Sequence, residues 1–231
     1  MAREWRLHAP HAGPGVPNEL AGEVRVVTND AAWIWAEHGP VVISSATALA
    51  GPITACTMPP EELARGHRVF LNHSDASGGD VVPAAPGYSG SPEVDRVELE
   101  SGWLSERAES LASGPAADVA AEIAGWGPGL TPSGDDVLIG YVLARRTVQR
   151  EGHAGEVDDI VEVMRDRSGE PSLSLVRWAA KGQAFAVVMA ALEALLENAP
   201  GDHRAVAALG SLGHESGRAT LVGLAAGLRA G

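Results

Sequence analysis

The chain has 231 residues, 45% hydrophobic and 20% charged, which is long enough for one large domain or two small ones and too apolar for a disordered chain. Its formal net charge of -13 excludes duplex nucleic acid and an anionic membrane as main partners, because both require a basic face, whereas a small anion requires only a local cluster of donors. Cys56 is the only cysteine, so no internal disulfide can form, which suits a reducing cytoplasm.

The opening residues, MAREWRLHAPHAGPG, contain no apolar stretch of signal-peptide type and are expected to form a mobile N-terminus. His8 and His11 make an H-x-x-H with no helical pattern or nearby acid, and are not read as metal ligands. Six short apolar or alternating runs follow: EVRVV, AAWIWAEH, PVVISS, PITACTM, RVFLNH and RVELESGW. Gly, Pro, Asn and Asp break them, so each is expected to be a strand. PPEELARG should form one or two helical turns after its proline start. NHSD has turn chemistry, and the Gly-, Pro- and Ser-rich stretch 74–95 reads as a long loop.

From residue 102 the periodicity becomes helical. Short helices are expected in GWLSERAESLASG and PAADVAAEIAG, each stopped by glycine. SGDDVLIGYVLARRTVQR and EVDDIVEVMRDR follow, then one long helix over 172–198 or two helices with a break at Gly182. DHRAVAALGSLG and SGRATLVGLAAGLRA close the chain. AFAVVMAALEALL is too short to span a bilayer and carries Glu193. The fold expected is α+β, with a β-rich domain over 1–101 and a helical domain over 102–231 whose Gly/Ala-rich helices pack closely. A cytoplasmic protein without membrane or nucleic-acid partners is expected.

The stretch GWGPGLTPSGDD, residues 125–136, carries the most chemistry. Ser133 is placed to cap the following helix, and with Asp136 it forms a capping box in which Asp replaces the usual Glu or Gln. Asp135 and Asp136 also sit well against the positive helix end, by about 0.3–1 kcal/mol each. Capping leaves Gly125, Gly127 and Gly129 unexplained. A stiff glycine loop before a helix start is an anion cradle, because free amides point outward there. Two acids beside it repel a bare phosphate unless Mg²⁺ lies between Asp135 and Asp136, or unless the ligand is an amide or a cation. The spacing is not that of a P-loop, since no Lys follows. A cap with a turn and a ligand site both remain open on spacing alone.

SGDDVLIG (133–140) and SGRATLVG (216–223) match in pattern. Asp136, Gly140 and Ala144 share one helix face, as do Ala219, Gly223 and Gly227. A mid-helix Gly costs about 1 kcal/mol relative to Ala, so two at matching phase predict helices crossing near Gly140 and Gly223. Asp136 would then face the second Ser-Gly turn, near His214, Ser216 and Arg218.

These residues also carry a resemblance. GWGPGLTPSGDDVLIGYVLA resembles the G-x-G-x-G-L-T-P-S-G-D-D signature of the DUF2877 family, which includes a subunit of oxamate carbamoyltransferase from anaerobic allantoin catabolism, a branch of purine degradation. PSLSLVRWAAKGQAFAVVMAALEALL and LGSLGHESGRATLVGLAAGL, with its GHxSG motif, are similar to two further family segments. The resemblance covers residues 124–230 well. In the N-terminal half it rests on the β-rich layout and RVFLNHSDASG. The chain departs from the family pattern at Ala219, where an acid is usual, and at Pro171 and Ser172, where a Thr pair is usual.

The resemblance implies a subunit of a hetero-oligomeric transferase that interconverts oxalurate plus phosphate with oxamate plus carbamoyl phosphate. A site for a small anionic or amide substrate must hold phosphate and aim donors at a developing oxyanion. His214, Asp135 and Asp136 are the catalytic candidates. Gly127, Gly129, Thr131, Ser133, Gly134, Lys181, Ser216, Gly217 and Arg218 are the substrate-binding candidates, with Arg145 a further cation. No cofactor is fixed by the residues; Mg²⁺ on Asp135 and Asp136 is the one they suggest. Two other classes stay open: a non-catalytic accessory or small-molecule-binding subunit, and a Mg²⁺-dependent enzyme using phosphate or nucleotide.

Overall fold

The structure, a computed structural model, describes residues 3–28, 31–46, 49–57, 59, 61–73, 97, 99–148, 153–197 and 203–230. The chain divides into two compact units, Met1–Asp80 and Val81–Gly231. The architecture is α+β, with strands in the N-terminal part and helices in the C-terminal part.

The first unit is one seven-stranded sheet: β1 (Glu4–Ala9), β2 (His11–Ala12), β3 (Glu19–Val27), β4 (Ala31–Ala36), β5 (Gly39–Ser44), β6 (Thr54–Cys56) and β7 (Arg68–His73). Their spatial order is β1-β7-β3-β4-β5-β6-β2. The two outermost strands of this order, β1 and β2, are separated only by Pro10, so the sheet curls back towards itself. Proline suits that corner because no ladder donor is needed there. β1 with β7 and β5 with β6 pair in parallel, and the other pairs are antiparallel. Alternation sends Leu20, Val24, Ile34, Val41, Ile43, Val69 and Leu71 into one core.

Three expectations for this part need correction. The N-terminal segment is paired into the sheet, with His8 opposite Asn72 and its Nδ1 2.7 Å from Asn72 Oδ1. RVELESGW supplies no strand among its described residues, because Ser101 caps a helix there by accepting from the Leu104 amide at 3.2 Å. The described residues of PPEELARG form turns, not helix. The expected loop over 74–95 lies outside the described residues, as does half of NHSD.

The second unit holds α1 (Gly102–Leu111), α2 (Ala116–Ile123), α3 (Ser133–Val148), α4 (His153–Arg167), α5 (Glu170–Ala179), α6 (Ala186–Glu197), α7 (His203–Gly210) and α8 (Ser216–Arg229). The long C-terminal apolar stretch is thus two helices, and the break falls where expected, at Gly182 with φ +79°. α3 is the central helix. Of its sixteen residues fourteen are buried, so it has no solvent face and must meet other elements all round.

The tightest of those meetings is with α8. A Cβ on Gly140 would fall 2.2 Å from Thr220 O, and one on Gly223 would fall 2.0 Å from Val137 O. Farther along, a Cβ on Gly227 would fall 2.6 Å from Tyr141 O. The contacting positions advance together along both helices, so α3 and α8 run parallel. They cross backbone to backbone at the two glycines expected from phase. The matched octapeptides therefore meet as near-equivalent partners, with both Ser-Gly starts at the same end.

Candidate functional site

The parallel crossing brings Ser133 and Ser216 together with their flanking acids. Ser133 Oγ donates to Glu215 Oε2 at 2.5 Å. Glu215 Oε1 accepts from the Glu100 amide, also at 2.5 Å, so α1's approach is tied to the same carboxylate. On the other side, Asp136 Oδ2 accepts from Thr131 Oγ1 at 3.4 Å, and the Ser216 hydroxyl lies close enough to the Asp136 carboxyl to favour its charged form. Each helix start thus offers a hydroxyl to an acid of the other. The capping box is not formed: the Asp136 amide bonds Pro132 O at 3.0 Å, and the Ser133 hydroxyl is spent on Glu215.

Asp136 is only 5% exposed. Burial pushes its carboxyl well above the usual range, hydroxyls from Ser216 and Thr131 oppose this, and the nearby charges of Asp135 and Glu215 add to the rise. Its proton is therefore held far more tightly than an ordinary aspartic acid's.

Asp135 looks elsewhere. Fully buried, it accepts through Oδ1 from the Gly125 amide and from Ser168 Oγ, each at 2.7 Å. It thereby fastens the glycine loop and the end of α4 to α3. The adjacent acids engage different partners, an arrangement that does not suit one Mg²⁺ shared between them. Among the described residues no group of three or more His, Cys, Asp or Glu side chains is placed to hold a metal ion.

The remaining candidates sort by place. Gly134 packs on Ile123 O and Gly217 on Leu209 O, where added Cβ atoms would fall 1.9 and 1.8 Å away. These two glycines seat the helix starts on the preceding helices. Gly127 and Gly129 hold positive φ in the loop, which passes over Ser133 at Gly127. His214 is exposed, its Nδ1 3.3 Å from Glu100 Oε1. Arg218 reaches the same oxygen at 3.5 Å and donates to His214 O at 3.2 Å. Thr131, Ser133, Asp136, His214, Ser216 and Arg218 thus belong to one connected cluster. Lys181 is held locally, its Nζ 4.2 Å from the Trp178 ring centroid.

Arg145, considered as a cation for phosphate, is committed to the fold. It is buried, donates to Glu156 Oε1 at 2.8 Å and to Ala230 O at 2.7 Å, and lies about 18 Å along α3 from Ser133 at 1.5 Å per residue. Two cluster members were not anticipated, Glu100 and Glu215. Glu215 sits at the residue before α8, inside the GHESG turn, and an acid next to a helix start was the available signal. Glu100 had none, because its role is a backbone amide and a long-range contact. Trp126 in the loop is 37% exposed and stacks obliquely on Trp103, with ring centroids 5.4 Å apart.

No curated protein and no solved structure matches the chain. Residues 123–228 match the family model described as oxamate carbamoyltransferase subunit AllH. Over that stretch the chain is similar to the AllH family, which is the DUF2877 type. The AllH segment starts at Ile123, whose carbonyl seats Gly134, and ends at Leu228 on α8. It contains both helix starts and the crossing, while Glu100 enters the cluster from outside it.

Proposed function

We propose that this chain is a subunit of an oxamate carbamoyltransferase-type enzyme and that its small-molecule site is the joined starts of α3 and α8. The observation that carries the reading is the pair of reciprocal hydroxyl–carboxyl contacts, Ser133 with Glu215 and Asp136 with Ser216, inside the AllH segment. Two parallel helices present their positive ends together, which favours an anion more than one helix does. The substrates proposed are oxalurate with phosphate, giving oxamate with carbamoyl phosphate, or a closely related small amide. Asp136, whose burial favours its protonated form, donates to the amide carbonyl or to a phosphate oxygen. Arg218 and His214 at the rim meet the anion, and the loop from Gly127 to Ser133 lines its approach. Asp135 holds that loop. Positioning supplies most of the rate enhancement, and no step passes through a metal.

The test is to assay the purified chain, alone and with the proteins encoded beside it, for phosphate-dependent cleavage of oxalurate. Carbamoyl phosphate formed by the full set, with Asp136→Asn reducing it at least tenfold, is the result expected. No product in any combination removes the reading. A second reading, a binding subunit without turnover, is favoured by Ala219. It is fully buried at the position matching Asp136, where an acid is usual in the resembling family. On that reading Asp136→Asn abolishes binding of oxamate or carbamoyl phosphate in calorimetry, while the partner subunits retain the chemistry.

A further inference from the structure

The contact between Ser133 and Glu215 goes beyond a staple between two helix starts. A hydroxyl at a helix N-terminus, a carboxylate within 2.5 Å of it, and a backbone amide fixing the far oxygen of that carboxylate reproduce nucleophile, base and orienting group. Ser133 is 6% exposed, yet the residue over it is Gly127 at φ +108°. A Cβ there would sit 3.6 Å from Ser133 Oγ. With any other residue a side chain would cover the hydroxyl; glycine leaves it bare on that side. The geometry points to Ser133 as a nucleophile that accepts the carbamoyl group and to Glu215 as its general base, an inference that rests on the carbamoyl-transfer reading above. The other pair, Ser216 with Asp136, is not equivalent, because burial raises the Asp136 carboxyl well above the usual range and disfavours the charged form that a base requires.

The step balances as follows. Ser133 Oγ bonds to the carbamoyl carbon while its proton passes to Glu215 Oε2. The C–N bond of oxalurate breaks, and Glu215 returns the proton to the departing nitrogen, so oxamate leaves and a carbamoyl ester remains on Ser133. An oxygen of hydrogen phosphate then bonds to the same carbon. The C–Oγ bond breaks, the phosphate proton passes through Glu215 to Oγ, and carbamoyl phosphate departs.

The experiment incubates the full chain, together with the proteins encoded beside it, with carbamoyl phosphate in the absence of oxamate. Intact mass and peptide mapping then look for one added carbamoyl group. The adduct is expected on Ser133, absent in Ser133→Ala, and formed at least about 100-fold more slowly in Glu215→Gln, as for loss of a general base. Gln keeps a hydrogen-bonding oxygen in place, so Glu215→Gln should leave the thermal midpoint unchanged, which a purely structural staple would not combine with a slowed adduct. An assembly that turns over oxalurate with no adduct, or with full activity in Ser133→Ala, overturns the pair and leaves the carbamoyl-transfer reading standing. An adduct on Ser133 in an assembly inert towards oxalurate supports the pair and overturns the choice of substrate.

Discussion

Replacing Gly223 by Ala tests the helix crossing on which the site depends. The added Cβ would fall 2.0 Å from Val137 O, 2.8 Å from Val137 C and 3.0 Å from Tyr141 N. All three are backbone atoms of α3, so no flexible side chain can swing aside. Reaching ordinary contact at 3.4 Å forces the two backbones apart by about 1.4 Å at this point, an overpacking strain in a close-packed interior. Overpacking costs about 1–3 kcal/mol, and rigid partners put this site at the upper end. Ala regains about 1 kcal/mol of helix propensity, leaving a net loss of about 2 kcal/mol. For a unit of this size that lowers the midpoint by about 4–8 °C. Far-ultraviolet dichroism during heating or urea titration follows it, since the described residues of the first unit hold no α-helix. Gly155→Ala in α4 is the control, because nothing lies within 4 Å of its added Cβ. It should gain up to about 1 kcal/mol. Gly140→Ala combined with Gly223→Ala should cost less than the two losses added, since the first already parts the helices. A Gly223→Ala chain as stable as the parent would refute the crossing and the joined helix starts with it.

Removing the carboxylate of Glu156 (Glu156→Ala) strands the buried Arg145 guanidinium and should cost about 3–5 kcal/mol in urea unfolding, whereas the exposed Glu162→Ala, which loses a surface pair with Arg165, should cost under about 1 kcal/mol. Asp135→Ala leaves the Gly125 amide and the Ser168 hydroxyl without their shared acceptor, and should cost about 2–4 kcal/mol and loosen the glycine loop to protease, readable as a faster cut near residue 125. Because burial raises the Asp136 carboxyl in the folded chain, its share of stability is complete below about pH 3.9, the ordinary Asp value, and is lost as pH rises towards the folded value. Asp136→Asn should therefore gain on the parent as pH rises above about 4, and stability curves that stay parallel there would contradict the assignment. Tyr141, raised by burial and by Glu156, follows the same sign, so above about pH 10 the parent should lose stability that Tyr141→Phe does not lose.

What the sequence made legible was local. Proline, glycine and serine punctuate the helical half so densely that most of its helices could be placed, and the break at Gly182 needed only one glycine after a run of apolar residues. The α3–α8 crossing was legible too, because a mid-helix glycine is costly and two of them at the same phase demand a reason. The strand Glu4–Ala9 was not, since its partner lies more than sixty residues away at Arg68–His73 and its six alternating residues sit among the Pro and Gly of the opening stretch. RVELESGW misled because alternation is also what a capped helix start preceded by an extended residue displays. In the site, Asp136 facing Ser216 followed from helix phase, whereas the Ser133–Glu215 contact spans 82 residues and competes with a local cap that uses the same hydroxyl. Local rules favour the cap; the parallel packing of a second helix start decides otherwise.

That packing also explains why acids collect at this end of the unit. Parallel helices place like dipole ends side by side, and two positive ends repel unless negative charge or an acceptor lies between them. Asp136 and Glu215 stand there, Asp135 faces the glycine loop and the end of α4, and each carboxyl is tied to a donor: Thr131 and Ser216, Ser133 and Glu100, Gly125 and Ser168. At the matched positions of the second start, Arg218 stands where the first has Asp135, and Ala219 where it has Asp136. Three acids at both starts would overcompensate the two dipoles. One basic and one neutral residue on α8 leave the balance near what the helix ends themselves supply. The same balance leaves the cluster able to admit an anion, because all three of its carboxyls are engaged by donors and the Arg218 guanidinium stands at its edge. The charge arrangement that makes the parallel pair tolerable is thus the one that a site for a small anion requires.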